Sequence, residues 1–249
     1  MGTEAGTATE YIVVPEGEVV LAPEHLSSVE GAALPLVGVT GWRALVTKCF
    51  NGRVEDARGK NVLITGIGGG VALMTLQFAV EMGCNVWVTS GETGKIERAV
   101  GMGAKGGVSY KEAGWEKKLM GLLPGERKFL DAVVDGAGGD IVGKSVRLLK
   151  AGGVISCYGM TLGPKMDWVA QGFLKNIELK GTAMGSKREF GEMVEFVRER
   201  RIRPVVSRVV KGLDNLEGIE GLFEDMKAGR QFGKLVIQIG GDGGESPKL

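Results

Sequence analysis

Residues 62–79, VLITGIGGGVALMTLQFA, decide the fold. A short apolar run meets a burst of glycine, and an apolar pattern at helical spacing begins directly after it. A parallel strand that feeds a helix through such a turn points the helix's unpaired N–H groups, and the positive end of its dipole, at whatever lies in front. A pyrophosphate fits there if no side chain is in the way. The GxGxxG spacing fails in one register, because Gly66-x-Gly68 would need a third glycine where Val71 stands. GxxGxxA succeeds, with Gly66, Gly69 and Ala72 as its fixed positions and Ala72 as the small packing residue. A ligand-free structural turn is the competing reading. The order strand, turn, helix, strand around these residues favours a nucleotide.

Outward from this turn a rhythm continues. The runs NVLIT (61–65), NVWVTS (85–90), GGVSY (106–110), DAVVDG (131–136), GGVISCYG (152–159), IELKGTA (177–183) and GKLVIQI (233–239) alternate with segments of helix length, such as 71–82, 95–102 and 190–200. Continuous Val/Ile/Leu runs suit strands covered on both faces, and the intervening helices supply the crossovers of a parallel sheet. The expected class is therefore α/β, a doubly wound parallel Rossmann sheet over about residues 40–185. Before it, YIVVPEGEVV (11–20) is rich in β-branched residues around a Pro-Glu-Gly turn and reads as short strands. Ser27-x-x-Glu30 is a capping box that opens a helix, and GVTGWRALV (38–46) continues as a second one. The tail at 241–249 reads as disordered.

Composition sets the limits. The chain has 249 residues, 43% apolar and 24% charged, so it can bury a sizeable core. Its 43 glycines lie in clusters beside apolar runs, which suits many tight strand–helix junctions. A net charge of +1 argues against a nucleic-acid partner, and the densest basic run, RERRIR (198–203), reads as a solvated helix end. Cys49, Cys84 and Cys157 are far apart with no CxxC spacing, which suits buried thiols in a reducing compartment. No apolar run approaches the ~20 residues of a membrane span, and the start lacks the basic and apolar regions of a secretory signal. A cytoplasmic protein is the expectation.

The end of the second strand selects the nucleotide. An NAD site usually carries a carboxylate there for the ribose hydroxyls. Here the strand ends Val88-Thr89-Ser90 with no acid, and the loop GETGK brings Lys95 to the next helix. A hydroxyl and a cation suit a 2′-phosphate, so NADP(H) is favoured over NAD(H). Glu92 in the same loop could serve the ribose instead and restore NAD preference, and Lys95 is equally readable as a solvated helix residue.

Taken together these residues resemble the medium-chain dehydrogenase/reductases, most closely the zinc-free quinone-oxidoreductase and enoyl-reductase-like branch. The resemblance is carried in order by GTATEYIVVPEGEVVLAPEHLSSVEGAALPLVGVTGWRAL, the glycine turn and its helix, GAKGGVSY, DAVVDGAGG, LLKAGGVISCYGM, IELKGT and GRQFGKLVIQI. It implies that residues 1–35 are a remnant of a β-rich GroES-like catalytic domain, 36–185 an NAD(P)-binding Rossmann domain, and 186–240 a helix and strands returning to the catalytic domain. Most of the GroES-like barrel would then be missing, and the residual segment 10–35 would expose apolar surface. The resemblance also implies cofactor-binding roles. Thr40 would lie near the cofactor at the domain junction, and the backbone around Gly66, Gly69, Gly70 and Val71 would hold the pyrophosphate. Ser90, Lys95 and Tyr110 would surround the adenosine 2′-phosphate, Gly136 would line the ribose, and Tyr158, Gly159 and Met160 would flank the nicotinamide. For Tyr110 and Tyr158, core packing with a satisfied hydroxyl is the alternative. It implies a homodimer through the edge of the Rossmann sheet, around 177–185.

No catalytic acid or base stands out, and no metal site is expected. The single histidine, His25, reads as a surface or cap residue, and a catalytic zinc needs three protein ligands. The leading function is NADPH-dependent hydride transfer to an activated C=C or C=O group of a quinone, enone or enal. The alternatives are a non-catalytic NADP(H)-binding protein or a truncated fragment of such a reductase. An S-adenosylmethionine methyltransferase is disfavoured, because it would place an acid where Ser90 stands.

Overall fold

In the strand β1, Asn61–Ile64, Val62 and Ile64 face one hydrophobic core and Leu63 the other, and none of the three is exposed. That two-sided burial explains the unbroken apolar run. A computed structural model describes residues 6–239, so the expected disordered tail lies outside the described residues. Five further strands join β1: β2 (Asn85–Ser90), β3 (Gly106–Ser109), β4 (Leu130–Asp135), β5 (Leu149–Cys157) and β6 (Glu178–Gly181). All pair in parallel, in the order β3-β2-β1-β4-β5-β6. This is the doubly wound Rossmann sheet that the apolar runs imply.

Helices cover both faces. On one side lie α2 (Pro35–Trp42), which runs on into a π-helical stretch Arg43–Cys49, then α3 (Gly70–Glu81) and α8 (Lys187–Arg200). Short α1 (Ser28–Ala33) precedes them, opened by the expected capping box of Ser27 and Glu30. At their contact Trp42, Phe78 and Phe196 pack as a triad, with ring centroids 5.3–6.1 Å apart. Truncating one such buried ring costs about 3–5 kcal/mol. The other face carries α5 (Trp115–Leu122) and α6 (Asp140–Leu148), which bury Trp115, Leu119, Val142 and Val146. Between the strands α4 (Thr93–Gly101) and α7 (Ala170–Leu174) complete the crossovers.

Two regions depart from expectation. Residues 11–20 form no strand; the segment holds only a 3₁₀ turn at Glu16–Glu18. β-branched residues favour a strand only where a neighbouring edge accepts their N–H and C=O groups, and here Tyr11, Val13 and Leu21 stand 86–96% exposed. Beyond α8, the strand β7 (Val206–Lys211) pairs in parallel with β8 (Lys234–Gln238) in a separate two-stranded sheet, joined by α9 (Leu216–Ala228). Neither β7 nor α9 stands out in the apolar pattern. Gly218 and Gly221 dilute the helical pattern of α9, and Asn215, whose side chain accepts from the Gly218 N–H, is its start signal.

The loop before β8 folds back onto the glycine turn. The Gly233 N–H donates to the Gly68 carbonyl at 2.8 Å, the Lys95 ammonium donates to the Gly229 carbonyl, and the Arg98 guanidinium lies 3.8 Å from the Phe232 ring centroid.

Candidate functional site

The strand order reverses direction between β1 and β4, and a parallel sheet opens a crevice at the carboxyl ends of its strands at such a point. Thr65 and Asp135 stand at those two ends. The buried Thr65 hydroxyl donates to Asp135 Oδ1 at 2.5 Å and accepts from the Gly136 N–H at 3.2 Å. Asp135 also accepts from the N–H groups of Ala137 and Gly138 and from the Cys157 thiol at 3.8 Å, so a fully buried carboxyl is satisfied by four donors.

The glycine turn crosses this crevice. Gly66 and Gly68 have φ of +62° and +130°, a region in which a side chain is strained. Gly69 is different: its φ is −75°, it caps α3 without a side-chain hydrogen bond, and a Cβ there would meet nothing within 4 Å. Its missing side chain leaves the start of α3 open. A Cβ on Gly70 would stand 2.8 Å from Lys234 Cδ and 2.9 Å from Val37 Cγ1, so this glycine admits the close approach of β8 and α2. Ala72, the small residue of the GxxGxxA reading, is fully buried.

Two cavities, of about 410 and 280 Å³, share Gly66, Gly69 and Gln231 and form one groove across the strand ends. The wider end is lined by Gly136, Tyr158 and Thr161, and by apolar side chains including Val37, Leu222 and Ile237. The narrower end is lined by Ser90, Gly91, Glu92, Lys95, Tyr110 and Lys111. Burial pushes the Tyr158 hydroxyl pKa up, and the Asp135 charge adds to this, so the hydroxyl keeps its proton at neutral pH.

The structure thus brings nine of the expected positions to the groove: Gly66, Gly69, Gly70, Val71, Ser90, Lys95, Tyr110, Gly136 and Tyr158. Thr40, Gly159 and Met160 are not among its lining residues. Thr40 is buried in α2 and returns its hydroxyl to the Leu36 carbonyl at 2.7 Å. Gly159 packs on the Gly136 carbonyl, and Met160 lies against Gly138. Sequence reasoning passed over Thr65, Lys111, Thr161, Gln231 and Lys234, which also line it. Thr65 and Thr161 follow strand ends, a position that signals a site; Gln231 and Lys234 are brought in by the fold-back of the C-terminal loop, which no local pattern announces.

A family model described as zinc-binding dehydrogenase matches residues 70–199. The chain belongs to this zinc-binding dehydrogenase family, within the medium-chain dehydrogenase/reductases. It is 56% identical over 238 residues to the zinc-type alcohol dehydrogenase-like protein YogA of Leptosphaeria maculans, covering 95% of this chain and 65% of that protein. It is 30% identical over 245 residues to the zinc-type alcohol dehydrogenase-like protein C1773.06c of Schizosaccharomyces pombe, covering 96% of this chain and 68% of that one. Among solved structures, that of an NAD-dependent alcohol dehydrogenase superposes with a TM-score of 0.82 at 30% identity, over 94% of this chain and 66% of the other. The chain therefore spans just under two thirds of the length of YogA.

The family's name raises the question of zinc, and the described residues do not fit it. No three His, Cys, Asp or Glu side chains among them converge as a metal site. Burial pushes the thiols of Cys49, Cys84 and Cys157 up to about 12, so they stay protonated where a zinc ligand must be a thiolate. His25 Nε2 is engaged with the Ile202 carbonyl at 2.8 Å. Also among the described residues, no helix is long and apolar enough to cross a membrane.

Proposed function

We propose that this chain binds a nicotinamide dinucleotide along the groove, NADP(H) in preference to NAD(H), and serves hydride transfer to an activated C=C or C=O group of a quinone, enone or enal. The observation that carries this reading is the open N-terminus of α3 at Gly69, set between a hydroxyl-and-cation end and a wider apolar end of one continuous groove. The residues fit the ligand on three counts. Bare N–H groups and the dipole of α3 suit the pyrophosphate. Ser90, Tyr110 and a neighbouring lysine suit an adenosine 2′-phosphate, with no carboxylate on β2 to oppose it. Gly136 and Tyr158 make a flat wall at the other end: a Cβ on Gly136 would stand 2.5 Å from the Tyr158 ring, so the tyrosine lies directly on bare backbone.

When bound, the dinucleotide would supply the hydride. The chain contributes binding, orientation and exclusion of water, the last through Val37, Leu222 and Ile237 around the wider end. Conjugated acceptors spread the charge that develops on hydride addition and demand little electrophilic help. Residues 1–35 and 186–240 belong, in this reading, to the catalytic half of the whole enzyme, and the exposed edge strand β6 pairs with its copy in a homodimer. Light scattering of the chain before and after Leu179→Pro tests the dimer, which the proline would dissociate by removing an edge N–H.

A second reading, dinucleotide binding without turnover, is favoured by one observation: no carboxylate or imidazole lines the wider end. Oxidation of NADPH followed at its own absorbance, with a panel of quinones, enones and enals, separates the two. Saturable turnover supports the reductase; cofactor binding with no turnover of any acceptor supports the second reading.

A further inference from the structure

At the narrow end of the groove the two lysines are not equivalent. Lys95 is only 12% exposed at its side chain, pairs with Glu92 at 2.8 Å, and donates its ammonium to the Gly229 carbonyl. It is a tether between α4 and the C-terminal loop, and its charge is already answered. Lys111, just past β3, has no hydrogen-bond or ion-pair partner for its ammonium among the described residues, and its side chain lies over Gly91. A Cβ on Gly91 would come within 2.8 Å of Lys111 Cε and 2.7 Å of the Tyr110 hydroxyl oxygen. Gly91 is not in the left-handed region, so nothing in its backbone calls for glycine. What calls for it is space: the bare Cα lets a hydroxyl and a cation converge over the end of β2, one residue past Ser90. Register holds them there, because Ser90 pairs with Ser109 and the Tyr110 N–H donates to the Ser90 carbonyl at 3.1 Å.

We infer that Lys111, converging with Tyr110 over Gly91, is the cation that selects a 2′-phosphorylated dinucleotide, while Lys95 holds the loop. The inference rests on the NADP(H) reading above and assigns the discrimination to a residue. A doubly charged phosphate at this end meets one unanswered ammonium and two hydroxyls, and the Glu92 carboxylate that would repel it is neutralised by Lys95. A charge-assisted bond of this kind accounts for a preference of about tenfold or more.

The test compares calorimetric affinities for NADPH and NADH in the full chain and three variants. Lys111→Ala removes the cation from an exposed position and leaves the fold alone. Gly91→Ala places a methyl group where Tyr110 and Lys111 meet. The double variant Glu92→Gln/Lys95→Gln removes the tether pair without changing net charge. The expected result is that Lys111→Ala and Gly91→Ala each weaken NADPH about tenfold with NADH within about twofold of wild type, and that the double variant keeps the preference. Survival of the preference in Lys111→Ala, or its loss in the double variant alone, overturns the inference and returns the role to Lys95. A wild-type chain that binds both dinucleotides equally overturns the NADP(H) reading itself, a failure visible before any variant is made.

Discussion

The hydroxyl of Thr65 donates to Asp135 Oδ1 at 2.5 Å, and this contact joins the ends of the two strands between which the groove opens. It couples fold to site. The same carboxyl that fastens β4 to β1 also accepts from the N–H groups of Ala137 and Gly138, which turns the chain past Gly136 and leaves the groove wall bare.

Asp135→Asn directs an amide NH₂ at a position where only an acceptor fits, because four donors converge on the buried carboxyl. The expected loss is about 1–3 kcal/mol, read as a lower denaturant midpoint at unchanged slope. Thr65→Val leaves the acid with three donors and should cost somewhat less. Equal stability of Asp135→Asn and wild type would show that the contact contributes nothing.

Glycines of one turn should respond differently. Gly68→Ala forces a side chain to φ of +130° and should destabilise the chain by about 1–3 kcal/mol. Gly69→Ala adds a methyl at φ of −75° into open groove, so thermal stability should stay within about 0.5 kcal/mol of wild type. Dinucleotide affinity should nevertheless fall at least about tenfold, since that methyl blocks approach to the helix N-terminus. Unchanged affinity in Gly69→Ala would place the phosphates elsewhere.

Gly136→Ala sets a Cβ within 2.5 Å of the Tyr158 ring and pushes it into the groove. Affinity for the dinucleotide should drop, and Tyr158→Ala in the same chain should recover part of it. Failure of the second change to recover any binding would mean that Gly136 acts through the backbone and not through the tyrosine.

Much of this is legible in the sequence. The parallel sheet follows from apolar runs that demand burial on both faces, and the groove follows from the glycine turn at the end of β1. The roles of individual glycines are not legible there: the spacing points to Gly66-x-x-Gly69 as the working pair, whereas torsion demands glycine at 66 and 68 and access demands it at 69. Nor could pattern reveal that Lys95 is held by the Gly229 carbonyl, because that loop lies 134 residues away, whereas its ion pair with Glu92 three residues before is local. The strands read into 11–20 failed for the same reason, since strand formation depends on a partner edge that local composition does not report.

Glu189 provides the acid-sensitive element. Burial alone would raise its pKa. The Ser186 N–H, the Thr47 and Ser186 hydroxyls and Arg43 outweigh that, so its carboxyl titrates below the ordinary value of 4.5. A carboxyl held low when folded stabilises the chain above its unfolded pKa, and that contribution is lost as pH falls through the folded value. Glu189→Gln should therefore be less stable than wild type at pH 7, by about 1–3 kcal/mol, and the gap should narrow below about pH 4.5. A gap independent of pH would assign the loss to packing instead of charge.

The central claim, that the groove beneath Gly69 holds a nicotinamide dinucleotide, is tested most directly by calorimetric titration of the chain with NADPH and NADH. The account predicts saturable one-to-one binding of both, tighter for NADPH, with the affinity of each reduced in Gly69→Ala. Absence of saturable binding of either dinucleotide to a chain shown to be folded would contradict it.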